Sequence, residues 1–229
     1  MNIANLPNAQ DVFVHDDLDG LSLAVAQRIA ASAAQAIAAR GAFHLVLAGG
    51  ETPRRCYEKL RQLPIGWAHV QIYFGDERCL PRGDAQRNDT MARDTLLSHV
   101  PIPPANIHSI PAELGAQEAA VRYAALLENT PPLDLVLLGM GEDGHTASLF
   151  PDNPAANSTA VTVPVFDAPK PPAERVSLGM GALNAARQKM FLVAGAGKRG
   201  ALKQISHGAL LPAARVADAE WHLDRTALP

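Results

Sequence analysis

Between Leu133 and Pro151 the chain reads LDLVLLGMGEDGHTASLFP, and the residues there that can do chemistry are Asp143 and His145, set among Gly139, Gly141 and Gly144. An imidazole moves protons near neutral pH, and glycines let backbone N–H groups approach a ligand closely. A purely structural turn explains the glycines but leaves the Asp143/His145 pair without a purpose. The spacing Gly139-x-Gly141-x-x-Gly144 matches a dinucleotide fingerprint in form only. Pro151 and Pro154 follow almost at once and extend a loop where the fingerprint needs a helix.

Three other stretches carry candidate chemistry. Gly49-Gly50-Glu51-Thr52-Pro53 has the layout of a phosphate cradle, in which free N–H groups and a positive helix end meet an anion and Thr52 adds a donor. An ordinary strand–helix turn with Thr52 as a cap reads the same way. Gly75-Asp76-Glu77-Arg78 is either a surface ion-pair cluster or a source of Arg78 for a substrate anion and Asp76 for proton handling. Gly195-Ala196-Gly197-Lys198-Arg199-Gly200 is a second glycine fingerprint, here followed by a helix and a later strand with Asp224. Only about 30 residues remain beyond it, too few for the rest of a dinucleotide-binding sheet. Lys198 suits a terminal phosphate better. His99 and His108 flank a Pro-rich connection and receive no role.

The elements that must position these residues alternate from end to end. The run Leu133–Leu138 is short, β-competent and not alternating, which predicts a strand buried on both faces, delivering a loop at its carboxyl end. Further strands are expected at 11–14, 43–48, 70–74, 161–163, 175–178, 189–193 and 220–224, with a weak one at 107–110. A long helix is expected over about 18–40, where Leu21, Val25, Ile29 and Ile37 share a face and Gly41 stops it. Shorter helices are expected from Pro53 to Leu63, from Asn88 to about His99, from Glu113 to Asn129, from Gly181 to Arg187, and after Gly200 to about His207. The stretch 166–173 reads as a Pro-rich surface loop, and 175–178 as re-entering the sheet. No boundary or repeat interrupts the alternation, so 1–229 reads as a single α/β domain.

A length of 229 residues supports a real core, and 48% hydrophobic with 19% charged residues is a globular composition. The net charge of −3 offers no basic field for nucleic acid or an anionic membrane, so any anion must be held by local positive groups. Cys56 and Cys79 have neither metal spacing nor a disulfide framework, which fits a reducing cytosol. The N-terminus lacks the charged start and apolar core of a signal peptide. A cytoplasmic protein with no membrane or nucleic-acid partner is expected, a monomer by default.

Taken together, Gly49 to Pro53, Gly75 to Arg78 with Asn88, and LGMGEDGHTASLFP from Leu138 to Pro151 closely resemble the 6-phosphogluconolactonase family. Arg175-Val176-Ser177-Leu178, Asn184 and the Gly197-Lys198 loop fit that family's later landmarks, in order along nearly the whole chain. The resemblance implies an open, mostly parallel Rossmann-like sheet flanked by helices, of the kind shared with glucosamine-6-phosphate deaminase and ribose-5-phosphate isomerase. It implies hydrolysis of 6-phospho-D-glucono-1,5-lactone to 6-phospho-D-gluconate, with no metal or organic cofactor. His145 is then the general base, and Asp143 orients it or contacts the sugar. Asp76 contacts sugar hydroxyls or assists proton handling. Thr52 with the Gly49-Gly50 backbone, Arg175 and Lys198 are the implied phosphate ligands, and Arg78 a second positive group near phosphate or carbonyl.

Two residues depart from the pattern. Glu51 puts a carboxylate in the phosphate loop, so its side chain is expected to point away, and Asp152 stands where lactonases often carry glycine. The nearest competitor is the deaminase, which usually follows its histidine with an Asn-Glu-Pro element; this chain has Leu149-Phe150-Pro151, and Arg78 where the deaminase has tyrosine. A sugar-phosphate sensor would be expected to append a DNA-binding segment, for which the residues before the first strand leave no room.

Overall fold

The most apolar stretches of the chain become the middle of a parallel sheet. The structure, a computed structural model, describes residues 6–229. In chain order the strands are β1 (Ala9–His15), β2 (Phe43–Leu47), β3 (Val70–Phe74), β4 (Asp76–Arg78), β5 (Leu135–Gly139), β6 (Thr162–Val165), β7 (Arg175–Leu178), β8 (Gln188–Val193) and β9 (Ala219–Asp224). The α-helices are α1 (Leu18–Arg40), α2 (Glu51–Leu60), α3 (Asn88–Thr95), α4 (Ala116–Glu128), α5 (Met180–Ala185) and α6 (Arg199–Ser206).

Among the described residues the main sheet has six strands in the order β1-β9-β8-β5-β2-β3. Every pairing within it is parallel. All five residues of β2 and the first four of β5 are buried, as strands covered on both faces require. Asp134, a charge at the head of this apolar run, sits at the amino end of β5, far from the glycine loop. It accepts from the His44 N–H at 2.9 Å and from Arg40 at 2.6 Å, tying β5 to the start of β2.

Helix α1 begins where Asp17 accepts the Gly20 N–H at 2.8 Å and ends where Gly41 donates to the Ile37 carbonyl at 2.8 Å. Its Leu21, Val25, Ala26, Ile29, Ala33 and Ala36 are buried, and the alanines allow close packing on α2 and the sheet. By length and composition this helix alone among the described residues would be apolar enough to cross a membrane; here its apolar face is a core face.

Several sequence expectations change; the helix expected over 88–99 ends at Thr95, with Leu97–His99 a separate 3-10 turn, and the one expected from Glu113 begins at Ala116 after a 3-10 turn at Ala112–Leu114. Residues 175–178 do not re-enter the main sheet: β7 sits between β4 and β6 in a separate three-stranded antiparallel sheet. The chain leaves the main sheet at Gly75, whose N–H still bonds Leu47 O at 3.0 Å while its carbonyl accepts from Leu178 N at 2.8 Å. The expected strand at 107–110 is only a single bridge from Ile107 to Ile72, because Pro-rich connections on both sides leave it no partner beyond that residue. Helix α2 starts at Glu51 and not at Pro53, which still lies in the first turn, where its missing N–H costs nothing. Leu45 is fully enclosed in the central strand β2, so Leu45→Ala is expected to destabilise the protein by about 2–5 kcal/mol. Urea unfolding followed by circular dichroism measures it.

Candidate active site

The loop after β5 is wound tightly enough to face its own side chains at one another. Gly141 N bonds His145 O at 2.8 Å, and the Thr146 hydroxyl donates to Gly139 O at 2.9 Å. This brings Asp143 Oδ1 to 2.6 Å from His145 Nδ1, and the same oxygen accepts the His145 N–H at 3.1 Å. An ionised carboxylate can only accept, so Nδ1 carries the proton and Nε2 is left as a base. Gly141 has to be glycine: a Cβ there would fall 2.1 Å from His145 Nδ1 and 2.5 Å from Asp143 Oδ1. Burial lowers the His145 pKa from its ordinary 6.5, with the charges of Asp143 and Asp76 pulling it back up and that of Arg175 pushing it further down. Burial works to raise Asp143, but the charge and hydrogen bonds of His145 hold its carboxyl below the usual range. The His145 ring rests against Phe150, centroid to centroid 4.5 Å.

Across the cavity stands β4, whose alternation sorts its three charges. Asp76 and Arg78 line the cavity, and Glu77 between them points into the protein and is fully enclosed. Asp76 is fixed from two directions. Its Oδ1 accepts from the Asn88 amide at 3.0 Å, and its Oδ2 from the Ser148 hydroxyl at 2.5 Å. Asn88 in turn presses on the end of β2, where a Cβ at Gly49 would come within 1.9 Å of its Oδ1. Glu77 accepts the N–H groups of Arg78, Asn88 and Asp89 at 2.9, 2.7 and 2.9 Å. Of the choices left open for this stretch, the surface ion-pair cluster is excluded.

The cavity has a volume of about 200 Å³. It lies at the carboxyl ends of β2, β3 and β5, bounded by Gly49, Gly50, Asp76, Arg78, Asn88 and His145, with Lys198 reaching in from beyond β8. Arg78 donates to the Gln86 carbonyl and keeps its Nε–H without a partner among the described residues. Three residues read as site members lie outside this lining: Asp143, which meets the cavity only through His145, and Thr52 and Arg175. Thr52 borders an adjoining hollow on the far side of Gly49–Gly50, shared with Gly139, Met140, Asp224 and Lys198. Arg175 is buried behind the wall, its guanidinium 5.5 Å over the Phe150 ring. Glu51 turns back along its own helix, 2.8 and 2.5 Å from Arg54 and 3.1 Å from Arg55.

Sequence reasoning missed Ser148, Glu142 and Lys170. Ser148 reaches Asp76 from 72 positions away. Glu142 and Lys170 both line the cavity, and Lys170 is the one lysine of a segment read only as surface loop. Among the described residues no group of three or more His, Cys, Asp or Glu is placed to hold a metal ion.

A parallel sheet whose strand ends bring a carboxylate-held imidazole opposite arginine and lysine defines an α/β enzyme built for an anionic substrate. The chain belongs to the glucosamine-6-phosphate isomerase/6-phosphogluconolactonase family, whose pattern matches residues 16–225. It is 36% identical over 223 residues to a 6-phosphogluconolactonase of Streptomyces coelicolor, covering 89% of this chain and 85% of that one. Its fold superposes on the crystal structure of 6-phosphogluconolactonase from Thermotoga maritima with a TM-score of 0.87 at 29% identity, over 93% of this chain and 99% of that one. A monomeric glucosamine-6-phosphate deaminase shares the fold at 20% identity, with a TM-score of 0.83 over 94% and 98% of the two chains. Gly141→Ala is expected to displace the His145–Asp143 pair and cut turnover at least about 100-fold. Calorimetry of the same variant should show a folded protein with a thermal midpoint only a few degrees lower.

Proposed function

We propose that this chain hydrolyses 6-phospho-D-glucono-1,5-lactone to 6-phospho-D-gluconate, as a 6-phosphogluconolactonase of the oxidative pentose phosphate pathway. The observation that carries the reading is His145, held by Asp143, in one cavity with Asp76, Arg78 and Lys198. A lactone carbonyl is already reactive and needs only an activated water and a stabilised oxyanion. His145 Nε2 takes a proton from water as the oxygen attacks the lactone carbonyl carbon. Negative charge grows on the carbonyl oxygen, where Arg78, with its spare N–H, offers compensation. The tetrahedral intermediate collapses by breaking the bond to the ring oxygen, which takes the proton back from the imidazolium. The acid product ionises in solution.

In this reading Asp143 fixes the ring and its tautomer, and Asp76, pinned by Asn88 and Ser148, contacts sugar hydroxyls. The phosphate is held by Lys198 and the Gly49–Gly50 backbone at the positive end of α2, with Thr52 adding a donor from the adjoining hollow. Arg175 contributes from behind the wall. We extend the reading to a cytoplasmic monomer, the compartment supported by two free thiols.

Freshly generated 6-phosphogluconolactone, followed by acid release above its spontaneous opening, tests the reading, with glucosamine 6-phosphate and ammonia detection in parallel. Rapid lactone opening without ammonia is expected, and His145→Ala should lower it by about 100- to 10,000-fold while the chain stays folded. Ammonia release would move the chain to the deaminase branch.

The base must be neutral, so kcat/KM should rise with pH along a limb centred below 6.5, the direction in which burial moves His145. Asp143 raises that value, so Asp143→Asn should shift the limb further down while lowering kcat; a limb that moves up would remove Asp143 as the partner.

A further inference from the structure

The Pro-rich segment 166–173 is fastened to the body of the protein at defined points. Ala168 N bonds Ala173 O at 3.0 Å, closing the segment on itself. Arg175 donates from Nε to the Pro172 carbonyl at 3.2 Å and from Nη2 to the Lys170 carbonyl at 3.0 Å. The backbone of Lys170 is therefore held by the guanidinium that lies over Phe150, the ring packed against His145. From this anchored position the Lys170 side chain reaches the cavity wall, which it shares with Lys198 and Glu142.

Glu142 lies next to Lys170 and to the loop that carries Lys198. Its Oε2 is 3.7 Å from the Lys170 ammonium. Its Oε1 lies against the loop that carries Lys198, so near that a Cβ at Gly197 would be 2.9 Å from it. Burial lowers the pKa of Lys198, Glu142 raises it and Lys170 lowers it, so the three groups share one field. Two lysines and one carboxylate at the same cavity wall leave positive charge over, which marks a place for an anion. The Glu142 side chain is 63% exposed, so turning it out to water costs little.

Resting on the reading of the substrate as a 6-phosphorylated lactone, we propose that Lys170 grips the substrate phosphate together with Lys198, and that Glu142 is an internal place-holder which the phosphate displaces. Arg175 then serves phosphate recognition as a positioning residue, by holding the Lys170 backbone. A phosphomonoester carries nearly two negative charges near neutral pH and matches the lysine pair more fully than the carboxylate does.

The test uses the full chain carrying Lys170→Ala, Lys170→Arg or Glu142→Gln. It compares steady-state kinetics on 6-phosphogluconolactone with calorimetric binding of 6-phosphogluconate at low ionic strength. Lys170→Ala should raise both KM and Kd about five- to tenfold with kcat within about twofold, and Lys170→Arg should restore most of the binding. Glu142→Gln should tighten 6-phosphogluconate binding about two- to fivefold, since the competing anion is gone. Unchanged Kd in Lys170→Ala, or weaker binding in Glu142→Gln, overturns the inference. A wild-type chain that binds 6-phosphogluconate through Lys170 yet opens no lactone refutes the hydrolase reading and leaves Lys170 in place. An active hydrolase indifferent to Lys170→Ala refutes this inference alone, and a wild-type chain that neither opens the lactone nor binds 6-phosphogluconate overturns both.

Discussion

Strands β2 and β5 lie side by side, and the chain leaves them for opposite edges of the sheet. From β2 it passes through α2 to β3 at one edge; in the main sheet it moves from β5 on to β8 and β9 towards the other, where β1 is the edge strand. Where a parallel sheet reverses direction, the connecting loops splay apart and leave a crevice above the carboxyl ends. The candidate site occupies that crevice. Because every strand of the sheet points the same way, the loops after β2, β3, β5 and β8 emerge on one side, and residues more than a hundred positions apart meet there.

The wall formed by β4 depends on charge buried behind it. Burial pushes the Glu77 carboxyl up to about 7, against the pull of the three N–H groups that bond it. Arg87, itself fully enclosed, lies 3.6 Å from Glu77, 3.0 Å from Asp89 and 2.9 Å from Glu113, and donates to the carbonyls of Leu80 and Ile110. Ion networks of this kind add little net stability, because desolvation offsets attraction. What this one does is geometric. It fixes the first turn of α3, that turn fixes Asn88, and Asn88 fixes the Asp76 carboxylate facing His145.

Much of this was legible in the sequence wherever the governing interactions are local. Asp17 and Gly41 mark the ends of α1 because caps act within a turn. Mostly apolar, non-alternating runs gave away β2 and β5, and Asp143 with His145 stood out because a structural turn explains the glycines around them but not the pair. The parts that were hidden depend on contacts between distant segments. Alternation along Asp76-Glu77-Arg78 is regular, but which face meets water is decided by β7, almost a hundred residues later. Ser148 looks like any loop serine until its hydroxyl is seen on Asp76. Lys170 sits in a stretch with no hydrophobic period, and only the guanidinium of Arg175, bonding backbone carbonyls, shows that the stretch has a fixed place.

The segment 166–173 closes on its own backbone and touches the catalytic loop through Arg175 and Phe150. In the proposed reading, proton transfer resides on one stretch of chain and the rim that meets the far end of the ligand on another. The two can therefore diverge separately over evolutionary time. Exchanging these eight residues for a segment of different charge would change which sugar acids are admitted, with the acid–base pair left as it stands. A scaffold divided in this way lends itself to new substrates by exchange of a short insert, and the same division gives a designer a defined place to start.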